Sequence, residues 1–277
     1  MDIPFSEVIR LKSPDFPFCL CWANQSWYSK FCNNDLECEH KLIVEQKYDN
    51  EEWIIKHFYS LFEAFSDSRY IRVNGKLLFM IYRPLEYIEG VKFFMEKWDV
   101  LAEQNGLNGF YFVGQATSDE EAQKIINLGF NGVNIVRKDD FLKLKRYSNI
   151  FVRYYNKFLR LLGKAPYHYD YEKICKFFLQ SNGIEKENGF FPTLIPNWDH
   201  SPRSGKRACI FFNSTPGNFE KHVNSVVSMC EKKGMRDDNL VFLKSWNEWG
   251  EGNYVEPCER YGMGYINVIK KYFDCKM

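Results

Sequence analysis

Six short apolar or aromatic runs, each ending in polar residues, alternate along this chain with longer stretches of helical spacing. The runs lie at residues 18–24, 77–84, 109–115, 132–136, 192–199 and 241–249. Helical patterns occupy 53–65, 88–105, 120–128 and 219–233, and further helices are expected at 3–12 and 261–273. This order predicts an α/β fold of strand-helix units around a parallel sheet. At 277 residues, one domain of this class over 1–277 is expected.

The segment at about 138–182 interrupts the alternation. It is basic, aromatic and helical in pattern, and it is longer than an ordinary connection between strands. We therefore expect a helical insertion. One interpretation is an amphipathic helical pair that packs back on the sheet; the other is a basic surface for a membrane or a phosphate-bearing carrier.

Composition limits the class of partner. Lys and Arg total 37 against 36 Asp and Glu, a formal charge of +1, so the chain lacks the positive excess with which nucleic-acid binders engage phosphates. Aromatic residues make up 18% of the chain. Because sugar rings present flat C–H faces that stack on aromatic side chains, this surplus suits a saccharide cleft, although aromatics also fill cores.

Cysteine usage and hydropathy bear on location. Nine cysteines is an odd count, and several lie in apolar runs, which indicates reduced thiols. The first residues contain charges throughout and no apolar stretch of signal-peptide length. No later segment has the ~20 uninterrupted apolar residues that span a bilayer. A soluble, cytoplasmic protein without a transmembrane segment is expected.

Two glutamates follow the last strand of the predicted sheet. Chemistry in parallel α/β barrels occurs at the carboxyl ends of strands. Glu248 and Glu251 lie at such an end, three residues apart, next to Trp246, Asn247 and Trp249. Glycosidic-bond chemistry needs two carboxyl groups in different protonation states. Burial of a Trp beside one glutamate would raise the pKa of that carboxyl. The other interpretation is a pair of solvated glutamates on a Gly-rich loop.

Several motifs in one order carry a family resemblance. They are PFCLCWANQSW, LIVEQKY, DSRYIRVNGKLLFMIYRP, PNWDHSPRSG, NSTPGNFE and WNEWGEGNYVEP, and they extend over about 16–264. Together they resemble the WbsX-like family of polysaccharide-biosynthesis proteins, which is related to the endo-α-mannosidases of glycoside hydrolase family 99. The resemblance implies a (β/α)8 barrel.

The resemblance also implies roles for individual residues. Glu248 and Glu251 match the catalytic pair of the N-E-W-x-E-G motif, with Glu248 as the base that deprotonates the sugar 2-hydroxyl and Glu251 as the acid/base. Gly250 stands where the mannosidases usually have His, so mannoside specificity does not transfer. Asp199 and Arg203, in the W-D-x-S-P-R motif, match residues near the same cleft. They are expected to contact substrate hydroxyls or to support residues that do so; the alternative is an ion pair that braces the loop.

Further substrate contacts are expected at the ends of other strands. Trp198 ends the fifth run, and Trp22, Asn24, Tyr82 and Arg83 end the first two. For Arg83 we favour a structural salt bridge. No metal and no organic cofactor is expected, since neither a glycine-rich phosphate loop nor a D-x-D triplet occurs.

The resemblance leaves the start of the barrel incomplete. Relatives carry about two more strand-helix units ahead of the PFCLCWAN run, so six of eight strands are recognised here. An open barrel exposes unpaired strand edges. A missing amino-terminal segment or a partner chain is therefore expected to complete it, unless the fold is degenerate.

Three functions remain open from the sequence. The first is a hydrolase that cleaves glycosidic bonds of surface polysaccharide, such as capsule or lipopolysaccharide, through the glutamate pair. The second is a glycosyltransferase in polysaccharide biosynthesis. The third is an inactive saccharide-binding remnant.

Overall fold

The computed structural model describes residues 3–33, 37–48, 50–144, 150–162, 167–180, 183–205, 208–234 and 239–273. The chain divides into two compact units, Met1–Phe31 with Glu39–Asn134, and Cys32–Cys38 with Ile135–Met277. Among the helices that the structure describes, none combines the length and the apolar character needed to cross a bilayer.

Thirteen strands occur in the described residues. They are β1 Leu20–Trp22, β2 Trp27–Asn33, β3 Glu37–Val44, β4 Arg72–Val73, β5 Lys76–Ile81, β6 Phe110–Ala116, β7 Gly132–Ile135, β8 Tyr167–Asp170, β9 Phe190–Leu194, β10 Cys209–Phe212, β11 Phe242–Leu243, β12 Asn247–Glu248 and β13 Asn253–Tyr254. The main sheet has the order β1-β5-β6-β7-β9-β11, and β4 pairs with β5. All six predicted runs therefore supply strands of one parallel sheet.

Helices separate these strands. They are α1 Ile3–Leu11, α2 Glu51–Ser60, α3 Phe62–Ser66, α4 Ile88–Gln104, α5 Asp119–Asn127, α6 Ile150–Leu161, α7 Tyr171–Ile174, α8 Ser201–Ser204, α9 Pro216–Lys233 and α10 Gly264–Tyr272. Their ends follow local signals. Ser118 caps α5 by accepting a hydrogen bond from the Glu121 amide at 3.3 Å. Helix α9 starts at Pro216 and ends before Gly234, whose φ of +95° favours glycine.

The first unit is built on a buried parallel sheet. In β6 six of the seven residues are buried, as expected for a strand that is covered on both faces. Trp98 of α4 is fully buried and packs on Phe79 of β5 and Phe110 of β6, with ring centroids 4.8 and 5.2 Å apart. Its indole N–H donates to the carbonyl of Ile54 in α2. Helices α2 and α4 are thus fixed to each other and to the strands.

The second unit begins with the last residue of β7 and contains β9 and β11. Thr193 of β9 donates from its hydroxyl to the carbonyl of Ile135 at 2.8 Å, and Phe242 of β11 pairs in parallel with Thr193. Phe219 of α9 and Tyr265 of α10 are buried in one core cluster with Leu194. This packing holds the carboxyl ends of β9 and β11 in place, and the candidate site follows both of them.

The segment at about 138–182 differs in part from the predicted helical insertion. Helices α6 and α7 are present, but Tyr167–Asp170 forms strand β8, which pairs in parallel with β10. Tyr169 of β8 is buried in a cluster with Phe141 and Phe211. Its short aromatic run resembles the helical stretch before it, so the strand was not predicted. Residues 145–149, 163–166 and 181–182 lie outside the described residues.

The run at 241–249 is also broken. Only Phe242 and Leu243 join the main sheet, while β12 pairs antiparallel with β13 as a separate hairpin. Likewise, β9 ends at Leu194, and the residues that follow it form irregular backbone. Both departures occur at the carboxyl ends of strands, where the backbone leaves the main sheet and forms the candidate site.

Candidate functional site

The glutamate pair lies in the β12–β13 hairpin of the second unit. Glu248 ends β12, and Glu251 ends the single helical turn Trp249–Glu251 that leads to β13. Gly252 closes this turn with φ +52°, a left-handed conformation that glycine adopts without strain. The hairpin thus projects both carboxylates just beyond the carboxyl end of β11, as the sequence predicts.

Two buried asparagines join this hairpin to the segment after β9. The Asn197 side chain donates to the Tyr254 carbonyl at 3.0 Å and accepts from the Tyr254 amide at 2.8 Å. Asn253, fully buried, donates to the carbonyls of Asn197 at 2.7 Å and Lys244 at 3.0 Å. Because buried amides are costly unless paired, these bonds fix the hairpin position. Sequence reasoning missed both residues; their place beside the W-D and E-G motifs was the available signal.

Arg203 connects the two glutamates. Its Nη2 donates to Oε1 of Glu248 at 2.7 Å, and its Nη1 donates to Oε1 of Glu251 at 3.0 Å. The side chain of Glu251 is 17% exposed, against 41% for Glu248 and 47% for Arg203. One guanidinium therefore brings both carboxylates together at the surface of the second unit, with Glu251 the more enclosed of the two.

Asp199 is bonded to the backbone on both sides of the Arg203–glutamate cluster. Its carboxylate accepts from the Ser201 amide at 2.9 Å, and its own amide donates to the Glu251 carbonyl at 2.9 Å. The expected ion pair between Asp199 and Arg203 is not formed, because the Arg203 guanidinium is directed to the glutamates. Asp199 instead fixes the backbone on both sides of the pair.

His200 is a site residue that the sequence analysis did not single out. Its Nε2 lies 3.7 Å from Oε1 of Glu251, and its Nδ1 is 2.6 Å from the Ser204 hydroxyl. The imidazole is nearly parallel to the buried Trp198 ring, with centroids 5.8 Å apart. The only available signal was its position between Asp199 and the S-P-R triplet.

Trp198 is buried beneath two lysines. Nζ of Lys138 lies 4.5 Å from the centroid of its ring, and Nζ of Lys244 lies 5.6 Å away. Such contacts are favourable because the face of an indole ring is electron-rich. Trp198 thus packs against the residues of the site, and its burial leaves little of its ring surface exposed for contact with a sugar.

The other two tryptophans are exposed. Trp246 and Trp249 each expose close to half of their surface, so the predicted burial of a Trp beside a glutamate is not found. The Trp249 ring stacks on Tyr254, with centroids 3.8 Å apart, and its N–H donates to Glu256 at 2.7 Å. Asn247 is exposed between them. Trp246 and Trp249 border the glutamate pair with the flat apolar faces of their rings.

The remaining predicted residues lie in the first unit. Asn24 is fully buried and exchanges hydrogen bonds with the backbone of Arg83, at 2.8 and 2.6 Å. Trp22 packs among aromatic rings, including that of Phe94 at 5.0 Å. Both contacts support the strand ends. The Arg83 guanidinium lies over the Tyr82 ring at 5.1 Å, and no salt bridge to Arg83 exists within the described residues.

Metal ligands are not grouped at this site. Within the part of the chain that the structure describes, no cluster of three His, Cys, Asp or Glu residues is arranged to hold a metal ion. The groups that the hairpin and the segment after β9 bring together are two carboxylates, one guanidinium and one imidazole.

One solved structure agrees with this arrangement of strands. A solved structure described as a glycoside hydrolase-like protein superposes with a TM-score of 0.53 at 13% identity, covering 82% of this chain and 62% of that one. An endo-α-mannosidase of glycoside hydrolase family 99 from Bacteroides thetaiotaomicron gives a TM-score of 0.46 at 14% identity, covering 80% and 64%. The fold is that of the (β/α) barrel type, with six parallel strands.

Curated relatives are longer than this chain. Two proteins named WxcX, described as uncharacterized, from Xanthomonas campestris pv. campestris strains B100 and ATCC 33913, are 20% and 21% identical to it. The alignments cover 98% of this chain and 36% of each relative, so the chain spans about a third of their length. The model of the family "Glycosyltransferase WbsX" matches residues 1–269. The chain therefore belongs to the WbsX glycosyltransferase family.

Proposed function

We propose that this chain acts on glycosidic bonds of a surface polysaccharide, such as capsule or lipopolysaccharide, through Glu248 and Glu251. The observation that carries the proposal is the convergence of both carboxylates on Arg203, just beyond the parallel strands β9 and β11. Active sites of parallel α/β barrels occur at that end of the strands. Glycosidic chemistry uses a pair of carboxyl groups, and Arg203 brings these two together.

Glu248 is the proposed base and Glu251 the proposed acid/base, as in the hydrolases that the sequence resembles. Glu248 takes the proton of the sugar 2-hydroxyl, whose oxygen attacks the anomeric carbon as the glycosidic bond breaks. Glu251 protonates the departing oxygen. Its carboxylate then takes a proton from the water that opens the anhydro ring, and Glu248 returns its proton to the 2-oxygen. The lower exposure of Glu251 suits a group that must exchange protons away from bulk water.

Arg203 is the proposed positioning residue for both glutamates. An arginine presents fixed donors that hold two acceptors in a defined geometry. The exposed faces of Trp246 and Trp249 are the proposed stacking surfaces for sugar rings, and Asn247 the proposed contact to hydroxyls. For Trp22, Asn24, Tyr82 and Arg83, and for Trp198 and Asp199, contact with substrate stays a prediction.

Saccharide release tests the proposal. The purified chain is incubated with capsular or lipopolysaccharide glycan of its own source, and products are measured by mass spectrometry for the wild type, Glu248→Gln and Glu251→Gln. We expect release by the wild type and a loss of about a hundredfold or more in each variant. Glu259→Gln is the matched control, because Glu259 is an exposed glutamate of the same segment and should retain full activity.

A second candidate is transfer of a sugar to a growing glycan, which the family description favours. It predicts no release without a nucleotide-sugar donor, and extension of an acceptor glycan when the donor is added. Binding of glycan without turnover in either assay would support a saccharide-binding protein. Because the chain spans about a third of its curated relatives, each assay is best repeated with one of those longer relatives. The cytoplasmic location expected from the sequence also stays a prediction.

A further inference from the structure

Helix α6 presents an apolar face to solvent. Ile150, Tyr154, Tyr155, Phe158 and Leu161 expose between 55% and 78% of their surface. Four of them, at positions 150, 154, 158 and 161, follow the spacing that places residues along one side of a helix. Large apolar residues exposed singly are ordinary on proteins, but a continuous row of them is a feature of binding surfaces.

Helix α6 exposes apolar residues and buries a polar one, whereas an ordinary surface helix does the opposite. Asn156, a polar residue, is 7% exposed, and Leu159 is partly buried. The side that faces the second unit therefore includes an amide, while the aromatic and aliphatic side faces outwards. A helix that packed only to stabilise its own unit would bury the opposite side. Burial within this unit does not account for the apolar row.

Charge on the helix favours one kind of occupant. The sequence of α6, IFVRYYNKFLRL, contains three cationic residues and no acidic one. Lys157 is exposed and lies one helical turn from both Tyr154 and Leu161, at the border of the apolar row. Its ammonium can therefore reach headgroups while its stem follows the apolar surface.

We propose that α6 binds the surface of an anionic phospholipid membrane. Its apolar row enters the boundary between headgroups and acyl chains, and Lys157 contacts the phosphates. Cationic amphipathic helices with aromatic apolar faces bind membranes in this way. Tyrosine suits this depth because its ring is apolar and its hydroxyl stays hydrated. The binding surface is separate from Glu248 and Glu251, and it does not depend on the reaction that they perform.

Vesicle flotation tests this surface. The purified chain is mixed with vesicles of equimolar phosphatidylglycerol and phosphatidylcholine, and with vesicles of phosphatidylcholine alone. We expect the wild type to float with the anionic vesicles only, and less at high salt. The double variant Tyr154→Ser, Phe158→Ser should lower vesicle affinity by about tenfold or more. Lys157→Glu should lower it by about thirtyfold, since the reversal both removes a cation and adds an anion near an anionic surface.

Phe93→Ser is the matched control, because Phe93 is an exposed phenylalanine on α4 and should leave flotation unchanged. Circular dichroism of each variant confirms that it is folded. Flotation of the wild type that both α6 variants retain would overturn the proposal, as would absence of flotation with anionic vesicles. Sedimentation equilibrium addresses the other occupant: a wild-type dimer that the double variant dissociates would assign the row to a second copy of the chain.

Discussion

A Cβ atom on Gly250 would lie 3.0 Å from Nε of Arg203 and 3.2 Å from its Nη2. The absence of a side chain at position 250 is therefore what lets the guanidinium lie against the hairpin turn. From there it reaches Glu248 and Glu251 together.

Replacing Gly250 with Ala should displace the Arg203 guanidinium without unfolding the chain. Arg203 is half exposed and can move, so the free energy of unfolding should change by no more than about 0.5 kcal/mol. A weakened hydrogen bond to each glutamate should lower kcat/KM for saccharide release by about tenfold. Gly217→Ala is the control, because a Cβ there meets no neighbour. Full activity in Gly250→Ala would remove the positioning role of Arg203.

Gly252→Ala should destabilise the chain more than Gly262→Ala. Both glycines have left-handed φ angles, +52° and +49°, which cost about 1 kcal/mol for alanine. A Cβ on Gly252 would also lie 2.9 Å from the Asp199 amide nitrogen, whereas one on Gly262 meets nothing. We expect a loss of about 3 kcal/mol for Gly252→Ala, from urea unfolding. Equal losses would show that the contact with Asp199 is readily relieved.

The strands of the sheet were predictable because each is an apolar run that ends in polar residues. In β6, for example, a run of aromatic residues and valine is buried on both faces, so composition alone identifies the strand. The position of Glu248 and Glu251 was predictable for a related reason, since a site at the carboxyl end of a strand needs only the strand boundary.

The contacts within the site were not predictable to the same degree. Arg203 lies 45 residues before Glu248, and nothing in local spacing decides whether its guanidinium binds Asp199 or the glutamates. Strand β8 was not predicted because it is rich in aromatic residues, like the helix before it. In both cases the structure depends on packing between residues that are far apart in sequence. A hydrophobic pattern with a period of two or 3.6 residues indicates local structure only.

Glu185→Gln should strongly destabilise the second unit. Glu185 and Arg137 are each 1% exposed, and Nη2 of Arg137 donates to Oε2 of Glu185 at 2.8 Å. Loss of the Glu185 charge leaves the buried Arg137 guanidinium less compensated, because Asp140, which Arg137 also contacts at 3.1 Å, is shared with Lys143. We expect a loss of about 3 kcal/mol in urea unfolding. Glu187→Gln, at an exposed position two residues later, should have almost no effect; a similar loss in both would contradict the assignment.

His57 should make the chain sensitive to acid. Burial lowers the pKa of His57 to about 4, and within the described residues its buried Nδ1 has no hydrogen-bond partner. The unfolded chain binds this proton near pH 6.5, so the stabilisation is complete above that pH and is lost as pH falls towards 4. The loss amounts to about 3 kcal/mol. His57→Phe should flatten the pH dependence of urea unfolding between pH 7 and about 4 by that amount.

His222, whose pKa burial also lowers to about 4, should supply the part of the pH dependence that remains in His57→Phe. An unchanged slope in His57→Phe would show that His57 is already protonated in the folded chain, or is hydrated there.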